Sequence, residues 1–158
     1  MLKEIFKKSY YVFEEGFENW RDAVWVSYKP LLREKIVNED YINSVIDCIE
    51  KYGPYIVIAP NIAMPHSSEG AEGCNGTAIS FMKVNTPVKF DLEDEEKDAV
   101  LFFSLAADNH DKHVKNIQLL METLVNEEMV AELMSIKNEE DLKKIVEKYS
   151  LELKRFLM

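Results

Sequence analysis

The segment Ala99-Val-Leu-Phe-Phe-Ser-Leu-Ala106 constrains this chain more than any other. A strand with one face in water alternates apolar and polar residues, but this one is apolar on both faces. Both faces therefore have to be covered, which predicts a central strand with helices on either side. Around it, strand-like runs alternate with helical periodicities, and the expected fold class is α/β, a three-layer sandwich with a mixed central sheet flanked by helices. A chain of 158 residues suits one domain over 1–158 with a sizeable buried core.

Lys3 to Lys8 reads as a short helix covering a sheet edge, and Ser9 to Glu15 as an opening strand stopped by Gly16. Asn19 can cap a helix carrying Trp20, Ala23, Val24 and Ser27, with Pro30 dividing it from a second segment bearing Leu31 and Leu32. Asn38 caps a further helix in which Tyr41, Ile42, Val45, Ile46 and Ile49 recur at helical spacing until Gly53-Pro54. Cys48 falls in that pattern as core filler. Thr77 to Val84 is a strand, Asn85-Thr86-Pro87 a turn, Val88 to Phe90 a short return, and Asp91 to Glu96 a solvated acidic loop. After the central strand, Asp111 is placed to cap a helix with His113 in its first turn, bearing Val114, Ile117, Leu120, Met121 and Leu124. Two more amphipathic helices, Glu127 to Ile136 and Asn138 to Tyr149, follow.

The chemistry concentrates in Tyr55-Ile-Val-Ile-Ala-Pro-Asn-Ile-Ala-Met-Pro-His66-Ser67-Ser68. Its first five residues read as a buried strand between Gly53-Pro54 and Pro60-Asn61. Pro65 fixes its own φ and pushes Met64 toward extended backbone, so the chain enters His66 with few ways to move. An imidazole on a stiffened loop just past a strand is aimed by the scaffold and open to a partner. Beyond it, Gly70, Gly73 and Gly76 suggest a bent, mobile connector. His66 and His113 each follow an expected central strand by a few residues, and in an open α/β sheet sites gather beyond the strand carboxyl ends, so both rings can reach one pocket. Free amides at the start of the second histidine's helix would favour a phosphoryl group. His110 reads as a solvated loop residue.

The net charge of −10 argues against nucleic acid and anionic lipid as partners and favours a basic protein. No apolar run approaches a membrane span, and the amino terminus lacks a secretory pattern, so the expected location is the cytoplasm. Cys48 and Cys74 have neither the number nor the spacing of a disulfide framework. A zinc hydrolase using His66, His113 and Cys74 or Asp111 is a competing reading, but none of these has the short spacing of a zinc motif, and no metal is expected.

The run from Tyr55 to His66, the strand Ala99 to Leu105 and His113-Val-Lys-Asn-Ile-Gln-Leu-Leu120 together resemble the enzyme IIA domain of the mannitol/fructose class of the bacterial phosphoenolpyruvate-dependent sugar phosphotransferase system. Gly53-Pro54-Tyr55 with Val57-Ile58-Ala59-Pro60 is most similar to the ascorbate-type branch, and the likeness spans about Asn19 to Tyr149, including Trp20 to Val24 and Tyr41. The resemblance implies that His66 takes a phosphoryl group from the phosphocarrier protein HPr and passes it to a cysteine of a cognate enzyme IIB. His113 would be the second active-site histidine, orienting His66 and the phosphate. It also implies one α/β domain with no metal or organic cofactor, which meets the membrane only through its permease. Ser67, Ser68 and backbone amides would supply the phosphate contacts.

One departure stands out. The ascorbate-type branch follows its histidine with Ala-Arg-Pro-Glu, whereas this chain has Ser67-Ser68-Glu69-Gly70. Nor is there an arginine near Glu50-Lys51, where the mannitol branch carries one, and the point charge of Lys51 cannot reproduce a bidentate fork. A regulatory domain whose phosphorylation state signals without sugar transport is the alternative function that this departure suggests.

Overall fold

A computed structural model describes residues 1–157, with side chains through residue 150. Along the chain lie α1 (Leu2–Lys7), β1 (Tyr11–Glu14), α2 (Trp20–Ser27), α3 (Lys29–Arg33), α4 (Glu39–Tyr52), β2 (Val57–Ala59) and β3 (Asn61–Ala63). They are followed by β4 (Ala78–Lys89), a 3-10 turn (Glu95–Lys97), β5 (Asp98–Ala106), α5 (His110–Leu124), α6 (Glu127–Leu133) and α7 (Glu139–Leu157). The five strands form one mixed sheet in the order β1-β4-β5-β3-β2. Neighbours β1 and β4 run parallel, β4 and β5 antiparallel, β5 and β3 parallel, and β3 and β2 antiparallel.

The strand that is apolar on both faces is β5, and it occupies the middle of the sheet. Alternate side chains show why both faces must be dry. Phe103 meets Phe81 of β4 on one face, while Ser104 on the other donates to Ser27 Oγ of α2 at 2.7 Å. Ser80, directly across from Ser104, donates to the Ser27 carbonyl at 2.7 Å, so the buried hydroxyls fasten α2 to the sheet. Each is paired, as burial of a polar group requires. Around them Phe81, Phe102, Phe103 and Leu105 are fully buried, each contributing on the order of 2 kcal/mol.

The helix caps fall largely where the sequence places them. Asn19 and Asn38 accept from Asp22 and Tyr41 amides at the starts of α2 and α4, and Asn138 accepts from the Asp141 amide at 3.0 Å. Pro30 sits in the first turn of α3, where its missing N–H is tolerated.

Several boundaries differ from expectation, each for a physical reason. The run from Tyr55 to Ala59 is not one buried strand: it ends in the short edge strand β2, and the chain reverses at Pro60-Asn61 into β3, with Asn61 at φ +68°. Asparagine tolerates that left-handed conformation better than most residues. Asn85-Thr86-Pro87 is no turn, because β4 continues to Lys89 through a register irregularity opposite β5, and the Thr86 amide bonds to the Glu15 carbonyl. The cap of α5 is Asn109, not Asp111: its side chain accepts from the Lys112 amide. α6 stops at Leu133, and α7 continues past Tyr149. The three-glycine connector is tied down, with the Asn38 amide bonded to the Gly73 carbonyl at 2.9 Å and the Asn75 amide to the Ile36 carbonyl at 2.7 Å.

Candidate functional site

His66 follows β3 by three residues, and α5 follows β5 by a loop of similar length. Because β3 and β5 are parallel neighbours, both loops leave the same end of the sheet. The structure brings the rings of His66 and His113 to 5.4 Å between centroids, tilted by 40°. They border a cavity of about 330 Å³, with Ser67 and Ser68 on one side and Asn109 and His110 on the other.

The backbone under His66 is held from several directions. The Met64 amide bonds back to the Ile56 carbonyl at 2.7 Å, and the Leu105 amide donates to the Pro65 carbonyl at 2.9 Å, joining the loop to the central strand. The buried phenol of Tyr28 lies 2.8 Å from both the Pro65 and the Leu105 carbonyl oxygens, and its single proton serves one of them at a time. Tyr41 donates to the Leu105 carbonyl at 3.2 Å and accepts from the Ser67 amide at 3.4 Å. Burial pushes the Tyr41 phenol up to about 12, so it remains a donor throughout the physiological range. Tyr55 donates to the His66 carbonyl, and its ring stands edge-on to the imidazole at 5.2 Å.

These contacts fix the tautomer of His66. Its Nδ1 lies 2.6 Å from the Met64 carbonyl oxygen. A carbonyl can only accept, so Nδ1 carries the proton and Nε2 keeps the free lone pair. Burial pushes the His66 pKa below the usual histidine value; the bond to Met64 opposes this, and the neighbouring His113 adds to it. The ring is therefore neutral near pH 7, with a nucleophilic nitrogen available.

His113 lies two residues farther into α5 than the sequence suggests. Its amide bonds to the Asn109 carbonyl at 3.1 Å, so it is not among the unpartnered amides of the helix start. Those at the first two positions, His110 and Asp111, have no carbonyl available within the helix. Burial, and then the charge of His110, lowers the His113 pKa. His110 is no bystander in a loop: it opens α5 and lines the cavity.

Ser67 and Ser68 both line the cavity. The Ser67 hydroxyl lies 3.4 Å from Ser44 Oγ and 3.8 Å from the Cys48 thiol, and it accepts from the Glu69 amide at 3.2 Å. Cys48 thus packs under the loop as well as in the core. Lys51 does not stand in for an arginine: its Nζ pairs with Glu69 at 3.0 Å, and Tyr52 donates to the same carboxylate. No arginine or lysine is among the residues described around the cavity. Among the described residues no three of His, Cys, Asp and Glu converge on a point that could hold a metal ion, and the Cys74 thiol is directed at the Gly76 carbonyl at 3.2 Å.

Sequence reasoning missed the supports. Tyr28 lies at the junction of α2 and α3 and Tyr41 on the buried face of α4, and a buried phenol needs an acceptor. That requirement was the available signal. Nothing in the sequence pointed to the Met64 carbonyl.

The family description "Phosphoenolpyruvate-dependent sugar phosphotransferase system, EIIA 2" matches residues 4–149. The chain is 30% identical over 145 residues to the mannitol-specific cryptic phosphotransferase enzyme IIA component of Escherichia coli, covering 92% of this chain and 97% of that one. It is 27% identical over 131 residues to the ascorbate-specific PTS system EIIA component of the same organism, covering 83% and 84%. The solution structure of the E. coli mannitol-specific cryptic enzyme IIA superposes with a TM-score of 0.80, covering 93% of this chain and 98% of that one. The E. coli mannitol enzyme IIA, in complex with phosphorylated enzyme IIB, shares the fold at 21% identity, with a TM-score of 0.69 and coverage of 87% and 99%.

Proposed function

This chain belongs to the EIIA 2 family of the phosphoenolpyruvate-dependent sugar phosphotransferase system, whose members relay phosphate through a phosphohistidine, and on that premise we propose that His66 is its phosphoryl acceptor. The observation that carries the reading is the bond from His66 Nδ1 to the Met64 carbonyl, which leaves Nε2 unprotonated on a residue that borders the cavity. The donor is phosphorylated HPr, and the recipient is a cognate enzyme IIB. The Nε2 lone pair attacks phosphorus, the bond between phosphorus and the donor's nitrogen breaks, and that electron pair returns to the donor's ring. In the second step a nucleophile on enzyme IIB takes the phosphoryl group and His66 regains its lone pair.

Such a transfer needs in-line positioning more than covalent assistance from the protein. The tethers from Tyr28, Tyr41 and Tyr55 supply rigidity. His113 is a positioning residue beside the phosphoryl group, and Ser67 and Ser68 contact its oxygens. Residues 1–158 act as one such unit in the cytoplasm, and no helix among the described residues is long and apolar enough to cross a membrane. The relatives point to a carbohydrate such as ascorbate or a sugar alcohol as the transported substrate.

Incubation with enzyme I, HPr and phosphoenolpyruvate, followed by intact mass measurement, tests the reading. The expected result is one acid-labile phosphate, absent in His66→Ala. A wild-type protein that stays unmodified, or a His66→Ala variant that still takes phosphate, would overturn it.

A further inference from the structure

The cavity presents an electrostatic problem. A phosphoryl group on His66 Nε2 carries two negative charges while the ring, retaining its Nδ1 proton, becomes formally cationic. The site thus gains one net negative charge in a protein already at −10. Phosphoryl sites ordinarily answer with arginine or lysine, and the described lining of this cavity has neither. What it has is imidazole. Besides His66 itself, His113 and His110 border the space, one turn apart on α5. They differ in access to water: His113 is partly buried, whereas His110 is exposed at the first position of the helix.

Resting on the assignment of His66 as acceptor, we propose that His110 is a third histidine of the phosphoryl site, which takes up a proton from solvent as the phosphoryl group arrives and supplies the cation that a fixed arginine would otherwise provide. The balance closes: one net negative charge comes with the phosphoryl group and one positive charge with the proton, which returns to solvent when the phosphoryl group leaves. The charged groups nearest in the chain do not supply this cation. On the α5 side Asp108 is paired with Lys112 at 3.1 Å, and Asp111 is an anion. On the facing loop Glu69 is paired with Lys51, and Glu72 is an anion. His113 shares the cavity but is disfavoured as the proton acceptor, because it is the more buried ring and lies beside His110. Single positions on α5 thus divide the labour: His113 positions the acceptor and His110 carries the charge.

The test compares wild type, His110→Gln and His110→Arg in single-turnover phosphorylation by phospho-HPr from pH 6 to pH 8, with NMR of the ring nitrogens of His110 before and after phosphorylation. The expected wild-type rate falls as pH rises. His110→Gln should be about tenfold slower at pH 6 and lose most of that pH dependence, an effect of the size that one neighbouring opposite charge has on a protonation equilibrium. His110→Arg should restore the rate and hold it at pH 8. In the phosphorylated wild type, His110 should keep its proton to higher pH than in the unmodified protein. Phosphorylated His66 with an unchanged His110 titration, or a Gln variant with the wild-type pH profile, overturns the proposal while leaving the acceptor assignment intact. Absence of phosphate on His66 overturns both.

Discussion

The hydroxyl of Tyr28 stands 2.8 Å from the carbonyl oxygen of Pro65, although 37 residues separate them in the chain. Pro65 immediately precedes His66, so a side chain at the end of the second helix governs the backbone on which the His66 ring is mounted. The same hydroxyl lies 2.8 Å from the Leu105 carbonyl on the central strand, tying together three elements that meet beneath the cavity.

Tyr28→Phe removes this proton and leaves the other partners in place: the Leu105 amide still serves Pro65, and Tyr41 still serves Leu105. The expected loss of stability is about 1–2 kcal/mol, the cost of a buried hydrogen bond with partial compensation. Urea unfolding measures it, and a change below about 0.3 kcal/mol would show that the tether contributes nothing.

Gly73 and Gly70 both have positive φ, at +84° and +113°, yet substitution should affect them differently. A Cβ on Gly73 would lie 2.3 Å from Asn38 Oδ1 and 2.9 Å from the Tyr41 amide, whereas one on Gly70 meets nothing within 4 Å. Gly73→Ala therefore combines backbone strain with disruption of the α4 cap, and should cost about 2–3 kcal/mol. Gly70→Ala should cost about 1 kcal/mol, from strain alone. Equal shifts in thermal midpoint for the two variants would contradict this account.

Acid should destabilise the fold through its two partly buried imidazoles. Both His66 and His113 have pKa values below that of an ordinary histidine, each chiefly because of burial. Above the unfolded-state value both rings are neutral in both states and incur no penalty. As pH falls below it, the unfolded chain binds protons that the folded one resists, so stability is lost toward acid. Wild type should lose stability between about pH 7 and pH 5, and the double variant His66→Gln, His113→Gln should lose less. Parallel curves for the two proteins would remove the histidines as the cause.

His113→Gln should still accept phosphate, but about 100-fold more slowly, as when one preorganised donor is removed from a transition state. Rapid-quench phosphorylation with intact mass detection follows the rate. An unchanged rate would leave His113 with a packing role only.

Apart from β3, the order of helices and strands is legible because its signals are local. Asn19, Asn38 and Asn138 sit immediately before apolar periodicities, and the eight residues from Ala99 have no polar face to expose. The errors arose where distant residues decide. Asn85 to Pro87 have turn chemistry, but pairing across the sheet carries the strand through them. Asp111 is a good cap residue, yet Asn109 reaches the Lys112 amide first. Pro60-Asn61 has the chemistry of a strand end, but it is the reversal of a hairpin whose second arm reaches the core. The two histidines are legible as a pair, but not by the right strand: the run expected to lead into His66 ends in the edge strand β2, and it is the unexpected β3, parallel to β5, that sends both loops to one end of the sheet. Their supports are not legible, because the Met64 and Pro65 carbonyls belong to the backbone, and every residue has one.

The joining of the Pro65 carbonyl to the Leu105 amide makes the loop that bears His66 an extension of the central strand of the sheet. A loop with no such attachment could melt by itself while the rest of the protein stayed folded. Here, freeing the ring means prying at the middle of the sheet, so the protein relinquishes its aim only when it relinquishes its shape.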